Sequence, residues 1–136
     1  MSDAAIEAFL SGDGFAVAGA SNDRRKYGNK VLRCYWQAGR SAFPVNPAQR
    51  TIEDAPCFAS VSAISAPLHG VSLITPPERS FEVIADAARA GVRHAWFQPG
   101  AESDAAIALA TEHGMSVIAR GPCVLVVLGY DDRRVR

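Results

Sequence analysis

Apolar residues in this chain alternate between two patterns: short continuous runs, and longer segments with apolar positions three or four apart. Residues 15–18, Phe-Ala-Val-Ala, are a run of the first kind and predict a buried strand. A short helix over residues 3–10 precedes it, with Ile6, Phe9 and Leu10 on one side, and Gly12 and Gly14 break that helix. Residues 28–38 carry Val31, Leu32, Tyr35 and Trp36 at helical spacing, with Gly39 suited to the cap. Residues 41–45 predict the second strand. Residues 47–69 are rich in proline and serine, and predict no more than a short strand near Cys57-Phe58 and a short helix at 61–64.

The alternation then resumes. Residues 71–74 predict a strand that Thr75-Pro76-Pro77 stops, because proline cannot donate to a sheet ladder. Residues 78–90 predict a helix with Phe81, Ile84, Ala85 and Ala88 inward. A strand at 94–97 and a helix from an N-cap at Ser103 to His113 follow. Residues 116–119 predict a further strand, and 124–128 are one more apolar run that would bring a sixth. Strands that alternate with helices of about ten residues, and that read as unbroken apolar runs, predict a parallel sheet buried on both faces. The fold class is therefore α/β, a Rossmann-like three-layer α/β/α arrangement with a mostly parallel sheet of five or six strands. No repeat or linker divides residues 1–136, which read as a single domain.

In such a sheet a ligand lies beyond the carboxyl ends of the strands, where strand order reverses. The exits that converge there are Gly19-Ala20-Ser21, Val45-Asn46-Pro47, Thr75-Pro76-Pro77 and Phe97-Gln98-Pro99. Gly19 admits a close backbone approach, Ser21 offers a hydroxyl, and the helix behind them has a positive N-terminus, a combination that suits a diphosphate. Arg24, Arg25, Lys26 and Lys30 follow the turn, and arginine can meet a phosphomonoester through two parallel hydrogen bonds. The dinucleotide fingerprint is incomplete. Gly19 has only the distant Gly28 behind it, and the second strand ends in Asn46 instead of the acid that holds a bare ribose diol. A neutral amide with cations nearby favours a ribose carrying an extra phosphate, as in NADP and coenzyme A.

Composition narrows the partners. Fourteen basic residues balance fourteen acidic ones, which gives no drive toward nucleic acid or an anionic membrane. Arg133, Arg134 and Arg136 read as a solvated tail. No apolar run is long enough to span a bilayer, and the acidic start MSDAAIEAFLSGDG lacks the basic region of a secretory signal. Cys34, Cys57 and Cys123 are odd in number and far apart, which points to a reducing cytoplasm.

Six segments taken in order resemble one family. They are Gly19-Ala20-Ser21, Lys26-Tyr27-Gly28-Asn29, Phe43-Pro44-Val45-Asn46-Pro47, Ile74-Thr75-Pro76-Pro77-Glu78, Trp96-Phe97-Gln98-Pro99-Gly100 and Gly121-Pro122-Cys123. The pattern resembles the CoA-binding domain of small single-domain bacterial proteins and of the N-terminus of the succinyl-CoA synthetase α subunit. The resemblance implies a Rossmann-like sheet that holds coenzyme A or an acyl-CoA. It further implies that Gly19, Ala20 and Ser21 contact the diphosphate, Asn46 and Pro47 flank the adenosine, Thr75 and Pro76 wall the cleft, and Gln98 hydrogen-bonds further along. Many members have Arg-Pro after the first turn. Here Lys26-Tyr27-Gly28 stands instead, leaving Arg24, Arg25 and Lys26 as the candidate phosphate cations.

No catalytic constellation stands beside this binding signature. His69, His94 and His113 fall on different elements without metal spacing, Cys34 reads as core, and Cys123 reads as a buried strand residue near the crevice. The expectation is a carrier, sensor or regulatory module. The alternative is an NADP-binding oxidoreductase-type domain. A third reading is an interaction domain whose homodimer or other protein interface would expose Trp36 or Trp96.

Overall fold

The computed structural model describes residues 3–134; the readings made at Met1, Ser2 and Arg136 lie outside the described residues. Helix α1 (Asp3–Leu10) leads into β1 (Phe15–Ala18), α2 (Tyr27–Gln37) and β2 (Ala42–Val45). Two very short strands, β3 (Thr51–Ile52) and β4 (Ala55–Pro56), and a 3-10 turn at Val61–Ala63 occupy the proline-rich stretch. Then come β5 (Gly70–Leu73), α3 (Pro77–Arg89), β6 (His94–Phe97), α4 (Asp104–Glu112), β7 (Ser116–Ile118) and α5 (Val124–Leu128).

The large sheet is parallel and ordered β2-β1-β5-β6-β7. Side chains alternate across it and divide the core in two. Phe15 and Val17 pack with Phe9 of α1, Val31, Leu32 and Tyr35 of α2 and Val124 of α5. Ala16 and Ala18 pack with Ile84 and Ala87 of α3 and Ala106 and Ala110 of α4. Each large apolar side chain so buried contributes roughly 1.5–3 kcal/mol. The chain leaves β1 toward α2 on one face and leaves β5 toward α3 on the other. The switch point therefore lies between β1 and β5, and a crevice opens at their carboxyl ends.

Three local expectations change. Residues 124–128 form α5 and not a sixth strand, so the sheet stops at five and Cys123 is a helix N-cap residue. The run is short, and it turns Val126 and Val127 outward. Pairing in the proline-rich stretch occurs in the β3–β4 hairpin, while Phe58 makes a single parallel bridge to Val45. The inward face of α3 is Ser80, Ile84 and Ala87, and Phe81 is 44% exposed. The buried Ser80 hydroxyl turns that face: it donates to Ala101 O at 2.7 Å and lies 2.8 Å from Thr75 Oγ1. Trp96 is fully buried, with its indole N–H donating to Pro122 O, so it is core and not part of an exposed face. Trp36 is half-buried on α2.

Candidate nucleotide-binding crevice

The turn after β1 is built by close approach. Gly19 has φ +92°, and a Cβ there would meet Ile74 O at 2.8 Å. Gly28, in the first turn of α2, sits so close behind it that a Cβ would meet Gly19 O at 2.0 Å. This is the helix-to-strand packing that the last glycine of a dinucleotide fingerprint provides, achieved here at a different spacing. Asn46 ties the second exit to the first, since its Nδ2 donates to Ala20 O at 2.9 Å and its Oδ1 accepts the Ala48 amide at 2.8 Å. Neither α2 nor α3 has a side-chain cap at its N-terminus, whereas α4, away from the switch point, is capped by Ser103.

A cavity of about 680 Å³ opens here. Its floor is Ala18 and Gly19 of the β1 exit, with Asn46 and Pro47 after β2 and Thr75 and Pro76 after β5. Ala59, Ser60 and Val61 form one side, and the α3 face from Arg79 to Arg89 forms the other. A second, smaller hollow of about 220 Å³ joins Thr75 and Pro76 to Pro99 and Gly100 after β6. The size suits a small-molecule ligand.

The structure sorts the candidate residues into four groups. Gly19, Asn46, Pro47, Thr75 and Pro76 line the cavity, and Ala20 and Ser21 continue the turn beside it. Arg24 and Arg25 are engaged with carboxylates. Arg24 lies along Glu53 in a paired contact, Nε to Oε2 at 3.0 Å and Nη2 to Oε1 at 2.5 Å. That contact holds the Glu53 carboxyl below its usual value. Arg25 pairs likewise with Asp23, which its hydrogen bonds bring down to about 2. Lys26 is exposed at the N-cap of α2. Gln98 is buried: its Nε2 donates to Cys123 Sγ at 3.1 Å and its Oε1 accepts the Val124 amide at 2.9 Å.

Sequence reasoning missed the residues that hold the turn in place. Asn29 donates from Nδ2 to Ser21 O and to Glu53 Oε2. Arg33, only 1% exposed, donates to Asn29 Oδ1 at 2.7 Å and pairs with Asp132. Asn22 donates to Thr51 O and accepts the Glu53 amide. The sequence signals for these were Asn29 in the Lys26-Tyr27-Gly28-Asn29 segment, whose tethering role went unread, and the four-residue spacing of Asn29 and Arg33 on one helix.

The thiols and imidazoles lie elsewhere or are muted. Burial pushes the Cys34 thiol up to about 12 and raises that of Cys57. His69 and His94 stack at 4.2 Å between centroids at the amino ends of β5 and β6, opposite the crevice. His113 is the C-cap residue of α4. Among the described residues no group of His, Cys, Asp and Glu is arranged to hold a metal, and no helix is long and apolar enough to cross a membrane.

Comparison with known proteins places this geometry. A family model described as a CoA binding domain matches residues 13–129. A conserved hypothetical protein from Pyrococcus furiosus is 32% identical with a TM-score of 0.79, over 85% of this chain and 99% of its own. An acetyl-coenzyme A synthetase from Ca. Korarchaeum cryptofilum, solved with phosphate and ADP, is 27% identical with a TM-score of 0.74. The match covers 86% of this chain but only 27% of that synthetase. A protein redesigned for binding, 24% identical with a TM-score of 0.86, shares the fold over 97% of this chain and 95% of its own. No curated protein matches the chain.

Proposed function

The chain belongs to the CoA-binding domain family, and we propose that it holds coenzyme A or an acyl-CoA at the carboxyl edge of the sheet as a non-catalytic carrier, sensor or regulatory module. The observation that carries the reading is the cavity at the β1–β5 switch point, floored by a glycine turn and walled by the first turn of α3, whose N-terminus has no side-chain cap. The dipole of α3 favours phosphate there. In this reading Gly19, Ala20 and Ser21 cradle the diphosphate, and Lys26 adds charge from the start of α2. Asn46 and Pro47 border the adenosine, while Thr75 and Pro76 wall the passage toward the smaller hollow. Arg24, Arg25 and Gln98 act from behind, shaping the loop and the segment that leads into α5.

The fit is one of size and donor type: a cavity of about 680 Å³ is within the usual range for a nucleotide-sized ligand. The test is to denature the purified protein, weigh any small molecule released, and titrate the empty protein with coenzyme A, acetyl-CoA and NADP by calorimetry. Binding of coenzyme A or its thioester with no heat from NADP supports the reading. Binding of NADP alone supports the oxidoreductase alternative, and silence toward all three leaves an interaction domain.

A further inference from the structure

The cavity wall formed by α3 carries charges of both signs, and they are not equally partnered. Arg89 Nη2 lies 3.2 Å from Asp86 Oδ1, and Asp86 also accepts the Ser62 amide at 2.9 Å. Arg79 lines the same cavity, yet among the described residues its side chain has no ion pair and no hydrogen bond. Two of the cations singled out by the sequence differ on both counts. Arg24 and Arg25 each hold a carboxylate, and neither lines the cavity. Arg79 also stands in the first turn of α3, just past Thr75 and Pro76. Positive charge in that turn opposes the helix dipole, a cost that a bound anion removes. Glu82 follows three residues later on the same wall, also without a charged partner among the described residues. A phosphate is attracted at Arg79 and repelled at Glu82.

We propose that Arg79 is a positioning residue for the ligand, fixing one of its phosphates from the α3 side while the Gly19–Ser21 turn holds the other side, with Glu82 marking where the anionic part of the ligand must end. The proposal rests on the coenzyme A reading of the crevice. A guanidinium suits the role because its planar fork can give a phosphate two parallel hydrogen bonds.

Calorimetric titration of the wild type and of Arg79→Met, Arg79→Lys, Glu82→Gln and, as a control, the exposed Arg93→Met at the amino end of β6 with coenzyme A and dephospho-CoA tests it. Arg79→Met keeps the aliphatic stem at an exposed position, and an unchanged urea midpoint verifies that it folds. The expected result is at least a tenfold loss of coenzyme A affinity in Arg79→Met, partial recovery in Arg79→Lys, little change in Arg93→Met, and a gain of a few fold in Glu82→Gln. Loss confined to coenzyme A assigns Arg79 to the ribose phosphate, and equal loss for both ligands assigns it to the diphosphate. A wild type that binds coenzyme A and an Arg79→Met variant of equal affinity overturn this inference and leave the site standing. A wild type that binds neither ligand overturns the site and the inference together.

Discussion

Gly28 shows what one absent methyl group decides. The atoms that a Cβ would meet, Gly19 O at 2.0 Å and Ala20 Cα at 3.3 Å, are all backbone, so no side chain can swing aside to make room. Gly28→Ala must push α2 away from the β1 exit. The expected cost is about 1–3 kcal/mol, as for overpacking a tight interior, read as a lower urea midpoint with an unchanged slope. Coenzyme A affinity should fall with it, because the turn and the helix N-terminus part company. This glycine was visible in the sequence, but its partner was not. Eight residues separate it from Gly19, and only a loop that folds back brings the two together. Glu53 was less legible still: an isolated acid in a proline-rich stretch becomes the acceptor for both Arg24 and Asn29.

At the scale of elements, the legible parts were those with strong periodicity or a turn residue of fixed meaning. The five parallel strands and the helices α2, α3 and α4 lie within about a residue of their expected bounds, because apolar runs and glycine caps report on burial and backbone conformation together. The Ser103 cap is an instance. Its Oγ accepts the Ala106 amide at 3.0 Å, so Ser103→Ala should cost about 1 kcal/mol and Ser103→Asp should cost little, as measured by urea denaturation. The β3–β4 hairpin was hidden for a physical reason. Its turn residues Glu53 and Asp54 adopt φ of 50° and 64°, a conformation usually signalled by Asn-Gly or Asp-Gly. Here tertiary bonds to Asn22, Arg24 and Asn29 hold it without that signal. Residues 124–128 misled in the opposite sense, because a five-residue apolar run is compatible with either a strand or a buried helix turn.

For the molecule as a whole, stability should depend on the histidine pair at the end of the sheet remote from the crevice. Burial, and then the neighbouring His69, hold His94 below its ordinary value of about 6.5. Its ring also touches Phe9 edge-on, while His69 Nε2 lies 2.9 Å from Ala8 O, so the pair joins α1 to the sheet. The unfolded chain therefore binds more protons once the pH falls below about 6.5, and the contribution of His94 is complete above that pH and declines below it. The urea midpoint should drop between about pH 7 and 5.5, and His94→Phe should flatten that slope while keeping the ring contacts. An equal slope in the variant would assign the effect to other groups.

The hydrogen bonds that run from Asn22, Arg24 and Asn29 into the hairpin have a kinetic corollary. In the proposed function this loop meets the ligand already fastened, so capture should need no disorder-to-order step, and association rates should vary linearly with ligand concentration instead of reaching a plateau set by an isomerisation.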